Sequence, residues 1–179
     1  MADLRRVYID SCCFIDMVKT EVGKTIESGR NTDVWFMKQL LQANRDREVE
    51  VYTSTLTVAE CSHSGDGDIG EQVRSAFNRL LMSGQYLRLV QLTPFIAEDA
   101  RDLRWKHGIA LRGPDAVHVA SALAMKCEEF LSNNSRFSRV EAHANGLSNL
   151  GLSVRQGRKT ECLPAKYRQL VLPDDQKPN

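Results

Sequence analysis

The stretch VYIDSCCFID, residues 7–16, begins as a core strand and ends that strand on a charge. Val7, Tyr8 and Ile9 form a short apolar run of the kind that fills a buried strand. Asp10 closes it, and burying a carboxylate alone costs several kcal/mol. A charge at that position is tolerable only if other groups converge on it. The strand therefore poses two questions, about the sheet it belongs to and about the partners Asp10 meets.

Further strand signals fall at 49–53, 86–92, 128–132 and 151–155. Helical patterns lie between them. Residues 32–46 carry Val34, Trp35, Leu40 and Leu41, and residues 71–83 carry Val73, Ala76, Phe77, Leu80 and Leu81 at helical spacing. The next helix is well punctuated. Thr93 caps it, Pro94 suits its first position, Glu98 and Asp99 favour its positive end, and Gly108 stops it. A last helix starts at RGPD and runs through VHVASALAMKC. Strands alternating with helices predict an α/β fold, a mostly parallel central sheet of four to five strands covered on both faces. In such folds the ligand site lies beyond the carboxyl ends of the strands, where Asp10 sits.

At 179 residues the chain is large enough for a real core, and 42% hydrophobic against 26% charged residues describes a globular protein. A net charge of +1 gives no global basic field, although a local basic patch remains compatible with it. No apolar run approaches the roughly 18 residues of a membrane span, and the N-terminus enters its strand without a signal-peptide pattern. The five cysteines include no C-x-x-C pair, which argues against structural zinc and for reduced thiols in a cytoplasmic protein. One domain is expected over 1–156, with a C-terminal extension at 157–179 that ends in a loose PDDQKPN tail. CSHSGDGDIG at 61–70 reads as a solvated loop. Asp66 and Asp68 resemble the start of a calcium loop whose later ligands are missing.

Three acids stand out, each with an ordinary explanation beside the functional one. Glu60 in YTSTLTVAEC could complete a capping box with Thr57, unless the helix starts at Ser54 or Thr55. Asp115 follows Pro114 in the first turn of a helix, where the macrodipole favours an acid by about 0.3–1 kcal/mol. His118, one turn on, suits a satisfied core histidine as well as a site. Asp16 reads as a surface or capping acid in the helix after Asp10.

In order, VYIDSCCFID, VYTSTLTVAEC, GPDAVHVASAL and FLSNNSRF closely resemble the PIN-domain nucleases, in particular the VapC-type ribonuclease toxins. The resemblance covers about residues 5–155, and its third segment is the most specific. It implies a three-layer α/β/α PIN-like domain and hydrolysis of RNA phosphodiesters with Mg²⁺ or Mn²⁺. By position, Asp10, Glu60 and Asp115 would carry catalysis, with Asp10 and Asp115 on the metal and Glu60 behind its direct ligands or at a second metal. Such hard cations take oxygen ligands and keep waters for catalysis, and they would balance Asp10 and its neighbours. Ser11, Ser54, His118, Asn133, Arg112 and Arg136 would support substrate or ligands. Where many relatives carry Asp, this chain has Asn134, whose amide can still bind metal or water but brings no charge. That weakens one metal position, and the competing reading is a silent PIN-fold module that binds RNA or acts as a scaffold.

Phosphate-steering candidates are Arg101, Arg104, Lys106, Arg112, Arg136 and Arg139, and towards the C-terminus Arg155, Arg158, Lys159, Lys166 and Arg168. No aromatic ladder for stacking bases is visible. The resemblance also implies a homodimer and an antitoxin partner. The 32–46 helix, with Trp35 beside Phe36, is the expected antitoxin contact.

Overall fold

The computed structural model describes residues 4–61, 69–139 and 141–169. Asp66 and Asp68 lie outside the described residues, as does the tail from 170. The strands are β1 (Arg6–Ile9), β2 (Glu50–Ser54), β3 (Arg88–Val90), β4 (Glu129–Leu131) and β5 (Ser153–Arg155). The helices are α1 (Ser11–Glu21), α2 (Arg30–Arg45), α3 (Thr55–Glu60), α4 (Glu71–Phe77), α5 (Pro94–Trp105), α6 (Gly113–Ala124), α7 (Arg136–Arg139) and α8 (Glu141–Asn149).

One sheet runs in the order β3-β2-β1-β4-β5, with every pairing parallel. β1 lies at its centre, with Val7 opposite Val51 and Ile9 opposite Leu131. That position explains the unbroken apolar run. Val7 and Ile9 enter a core with Phe14, Met17, Met37 and Leu40, while Tyr8 enters the opposite core with Val119, Ala120 and Phe130. Helices α1, α2 and α4 cover the first face, and α5 and α6 the second, giving three α/β/α layers. Successive strands leave β1 in opposite directions, so the carboxyl end of β1 opens at the point where strand order reverses. Ligand crevices of parallel sheets form there.

Local signals explain most boundaries. Thr93 Oγ1 accepts from Ile96 N at 3.4 Å, Pro94 occupies the first turn of α5, and Gly108 follows with φ 68°. The expected helix over 71–83 is different: α4 gives way at Asn78–Met82 to a π-helical turn. The strands at 86–92 and 151–155 shorten to three residues each because they form the two edges of the sheet, with one neighbour apiece.

The chain beyond β5 folds back onto the domain in two 3₁₀ turns, Gly157–Lys159 and Ala165–Tyr167. Glu129, 2% exposed, anchors it by accepting from Thr160 Oγ1 at 2.5 Å and from Glu161 N at 2.8 Å. Gly157 presses on α2 so closely that a Cβ would lie 2.6 Å from the Asp33 carbonyl oxygen. Asp33 in turn accepts from Arg158 N at 2.9 Å.

Candidate active site

Asp10 is the last residue before α1 and caps it, its Oδ1 accepting from Ser11 N at 2.7 Å. Its other oxygen accepts from Ser132 Oγ at 2.6 Å and lies 3.2 Å from Cys12 Sγ. The carboxylate is 4% exposed. Its burial is therefore offset within the chain by a helix N-terminus and two hydroxyl- or thiol-bearing neighbours. This answers part of the question raised by the strand.

Glu60 does not complete a capping box. α3 begins at Thr55 with Ser54 as its uncapped N-terminal neighbour, and Thr57 instead meets Thr53 at 2.6 Å between hydroxyls. Glu60 is the last residue of this six-residue helix. Its Oε2 lies 2.7 Å from His118 Nε2. That hydrogen bond, helped by Ser11, holds the Glu60 carboxyl below its ordinary range against the opposing effect of burial. His118 is 1% exposed and lies on α6, one turn beyond Asp115. Its Nδ1 meets the Tyr8 hydroxyl at 2.7 Å and Ser54 Oγ at 3.3 Å.

Asp10, Glu60 and His118 each present one donor atom within 4.8 Å of the others. Asp115, in the first turn of α6, completes the acidic surroundings. Burial pushes its carboxyl up, the negative charge of Asp10 adds to that, and Arg136 opposes it from 3.6 Å. A carboxyl raised by burial and by a neighbouring acid in this way suits a divalent cation. Donors bound at about 2.0–2.6 Å lie up to roughly 4–5 Å apart across an ion, a spacing that accommodates the observed one.

The fourth segment behaves differently. Asn134 Oδ1 accepts from Arg136 N at 3.1 Å, at the start of α7, and Asn133 Nδ2 donates to Asp16 at 2.9 Å. The first of these bonds uses one of the two lone pairs of the Asn134 oxygen. Asp16 is not the surface acid expected: it is 4% exposed and also pairs with Arg30 at 3.2 Å. It joins α1, α2 and the β4–α7 loop because buried carboxylates need such donors. Sequence reading missed Ser132 and Tyr8. Ser132 follows an apolar strand much as Asp10 does, which is the one signal that could have found it. Tyr8 was read as core alone.

Of the basic candidates, Arg136 lies beside Asp115, and Arg112 is the exposed residue that precedes α6. Arg101 stacks on Trp105 at 4.5 Å, and Lys106 pairs with Asp102 at 2.6 Å. Lys166 pairs with Glu48, and Arg168 donates to the Leu163 and Thr160 carbonyls. Arg30, Arg155, Arg158 and Lys159 line a groove of about 980 Å³ that Ser132, Asn133 and Asn134 also line. Its arginines are held by acids: Arg155 by Glu129 and Glu161, Arg158 by Asp33. On α2, Phe36 packs against the core and Trp35 meets it edge-on, so the expected antitoxin contact is half-buried. The largest exposed aromatic surfaces are Phe95 and Trp105 on α5, 77% and 71% exposed.

No helix among the described residues is long and apolar enough to cross a membrane. No curated protein matches this chain in sequence. Among solved structures, the fold is similar to a chain of VapBC2 from Rickettsia felis bound to a DNA fragment from their promoter. The TM-score is 0.53 at 14% identity, over 84% of this chain and 97% of the other. The PIN domain family model matches residues 7–142, a span that includes Asp10, Glu60 and Asp115, and the chain belongs to the PIN domain family.

Proposed function

We propose that this protein is a divalent-metal-dependent endoribonuclease and the toxin of a toxin–antitoxin pair. The observation that carries the reading is the meeting of Asp10, at the end of β1, and Glu60, at the end of α3, within one ion's reach beside Asp115. Family membership supports nuclease chemistry, and the VapBC2 likeness supports the toxin assignment. Asp10, Glu60 and Asp115 would hold Mg²⁺ or Mn²⁺, with Asn134 as a neutral and weaker fourth donor. Such an ion supplies Lewis acidity at neutral pH and positive charge against the phosphate.

The remaining work falls to the chain. Ser11 and Ser132 hold Asp10 in place through 2.7 and 2.6 Å hydrogen bonds, from a backbone N–H and a hydroxyl respectively. Arg136, beside Asp115, is placed to meet a phosphate oxygen, with Arg112 at the rim. The groove with Arg158 and Lys159 offers the strand a polar path outward. Residues 1–156 would form the catalytic domain and 157–179 an extension, of which 157–169 braces it. A homodimer, an antitoxin partner and a cytoplasmic location belong to the same proposal.

The test is cleavage of a mixed RNA pool by the purified protein in Mn²⁺ or Mg²⁺. Cutting that stops with EDTA and in Asp10→Ala supports the ribonuclease. The second reading, a silent RNA-binding module, is favoured by the engagement of Asn134 in its own turn. It predicts RNA retention without cutting, and cutting that appears only in Asn134→Asp.

A further inference from the structure

Two fully buried polar side chains stand behind the acidic site. Tyr8 is 0% exposed and His118 is 1% exposed. They form a continuous chain that ends on Glu60: the Tyr8 hydroxyl lies 2.7 Å from His118 Nδ1, and His118 Nε2 lies 2.7 Å from Glu60 Oε2.

We propose that Tyr8 and His118 are positioning residues that lock one imidazole tautomer, with the proton on Nε2, and thereby fix the orientation of the Glu60 carboxylate. This rests on the reading of Glu60 as a member of the site. The Glu60 carboxylate offers only lone pairs, which favours a hydrogen on the nitrogen facing it. With a single hydrogen on the ring, Nδ1 presents a lone pair, which needs a donor in a place where water cannot supply one. The Tyr8 hydroxyl at 2.7 Å is the nearer donor, with Ser54 Oγ beyond it at 3.3 Å. The opposite tautomer would set a lone pair of Nε2 against Glu60 at hydrogen-bond distance.

Packing makes the lock rigid. The Tyr8 ring stacks on Phe130 with centroids 5.3 Å apart and planes 6° from parallel, and meets His118 edge-on at 5.9 Å. Phe130 leans on Phe137 at 5.0 Å. Glu60 ends a helix of six residues with no side-chain cap, its side chain is 30% exposed, and beside His118 it meets Ser11. With Oε2 held by His118, the carboxylate keeps lone pairs for an ion or a water. Without that bond Ser11 is left to hold it.

Nitrogen-15 NMR of the labelled, metal-free protein reads the tautomer directly, with His118→Gln identifying the signals among the four histidines. The expected result is a protonated Nε2 and a lone-pair Nδ1 in the wild type. In Tyr8→Phe combined with Ser54→Ala, which removes both hydroxyls at Nδ1 and spares the ring stacking, the ring becomes a mixture of tautomers. A wild-type ring protonated on Nδ1, or a ring in that double variant unchanged from wild type, overturns the proposal. So does imidazole-nitrogen coupling in the electron paramagnetic resonance of added Mn²⁺, which would make His118 a ligand.

RNA cleavage gives a second readout. Tyr8→Phe is expected to lower kcat about tenfold with KM nearly unchanged, the scale of lost outer partners at metal sites. His118→Gln, whose amide can still donate to Glu60, should retain more kcat than His118→Leu. Equal losses in the two His118 variants would indicate a packing role alone and overturn the proposal. If the wild type cuts no RNA, the ribonuclease reading fails while the tautomer result still decides this one.

Discussion

Asp115 shows most plainly what the site costs the fold. Its carboxyl is harder to ionise in the folded protein than in the unfolded chain, through burial and the nearby Asp10 charge. Its stabilising contribution is therefore fullest below the ordinary aspartate pKa of about 4 and is lost as pH rises through the raised value. Glu60 has the opposite sign: held down by His118, it stabilises above its unfolded pKa and loses that contribution as pH falls through the lowered one. Asp115→Asn should accordingly stabilise the metal-free protein at pH 7 by about 1 kcal/mol, measured by urea unfolding. The order should reverse with the ion. Mn²⁺ at 100 times its Kd stabilises the wild type by about 2.7 kcal/mol, and the variant should gain less. A variant less stable than wild type without metal would show that the acids do not repel. Asp10, Glu60 and Asp115 were singled out by the resemblance of four segments in order, since spacing alone left Glu60 and Asp115 each with a capping or helix-dipole explanation. Tyr8, Ser132 and the burial of Asp16 were not, because their partners lie more than a hundred residues away.

At the scale of elements, the central strand and the punctuated α5 and α6 could be read from local chemistry. Asp10 and Glu60 meet because β1 and β2 are parallel neighbours, each delivering its acid at the same end of the sheet. The π turn after α4 and the docking of the chain beyond β5 could not be read, since no periodicity marks either. That docking depends on two contacts with little tolerance. Gly157→Ala sets a Cβ against the Asp33 carbonyl and should cost about 1–3 kcal/mol. Glu129→Ala strips the acceptor from Thr160 and Glu161 N and should cost about 1–3 kcal/mol, since both are left without it. Limited proteolysis reads both: faster cutting within 157–169 than in wild type is expected in each variant. Unchanged protection would mean that other contacts hold the segment.

For the molecule as a whole, a net charge of +1 conceals a local arrangement. Acids gather at the carboxyl end of β1, and basic side chains line the groove that shares Ser132 with them. RNA bound to the uncleaving Asp10→Ala protein should weaken as salt rises, and Lys159→Glu should weaken it further, by fluorescence anisotropy. A salt-independent affinity would count against the groove as a strand path. The central claim is that Asp10, Glu60 and Asp115 hold one divalent ion, Asn134 lending no charge to a second. Mn²⁺ binding counted by electron paramagnetic resonance tests it most directly. The account predicts one ion per chain, lost in Asp10→Ala, with a second gained in Asn134→Asp. Binding that persists unchanged in Asp10→Ala, or no binding in the wild type, would contradict it.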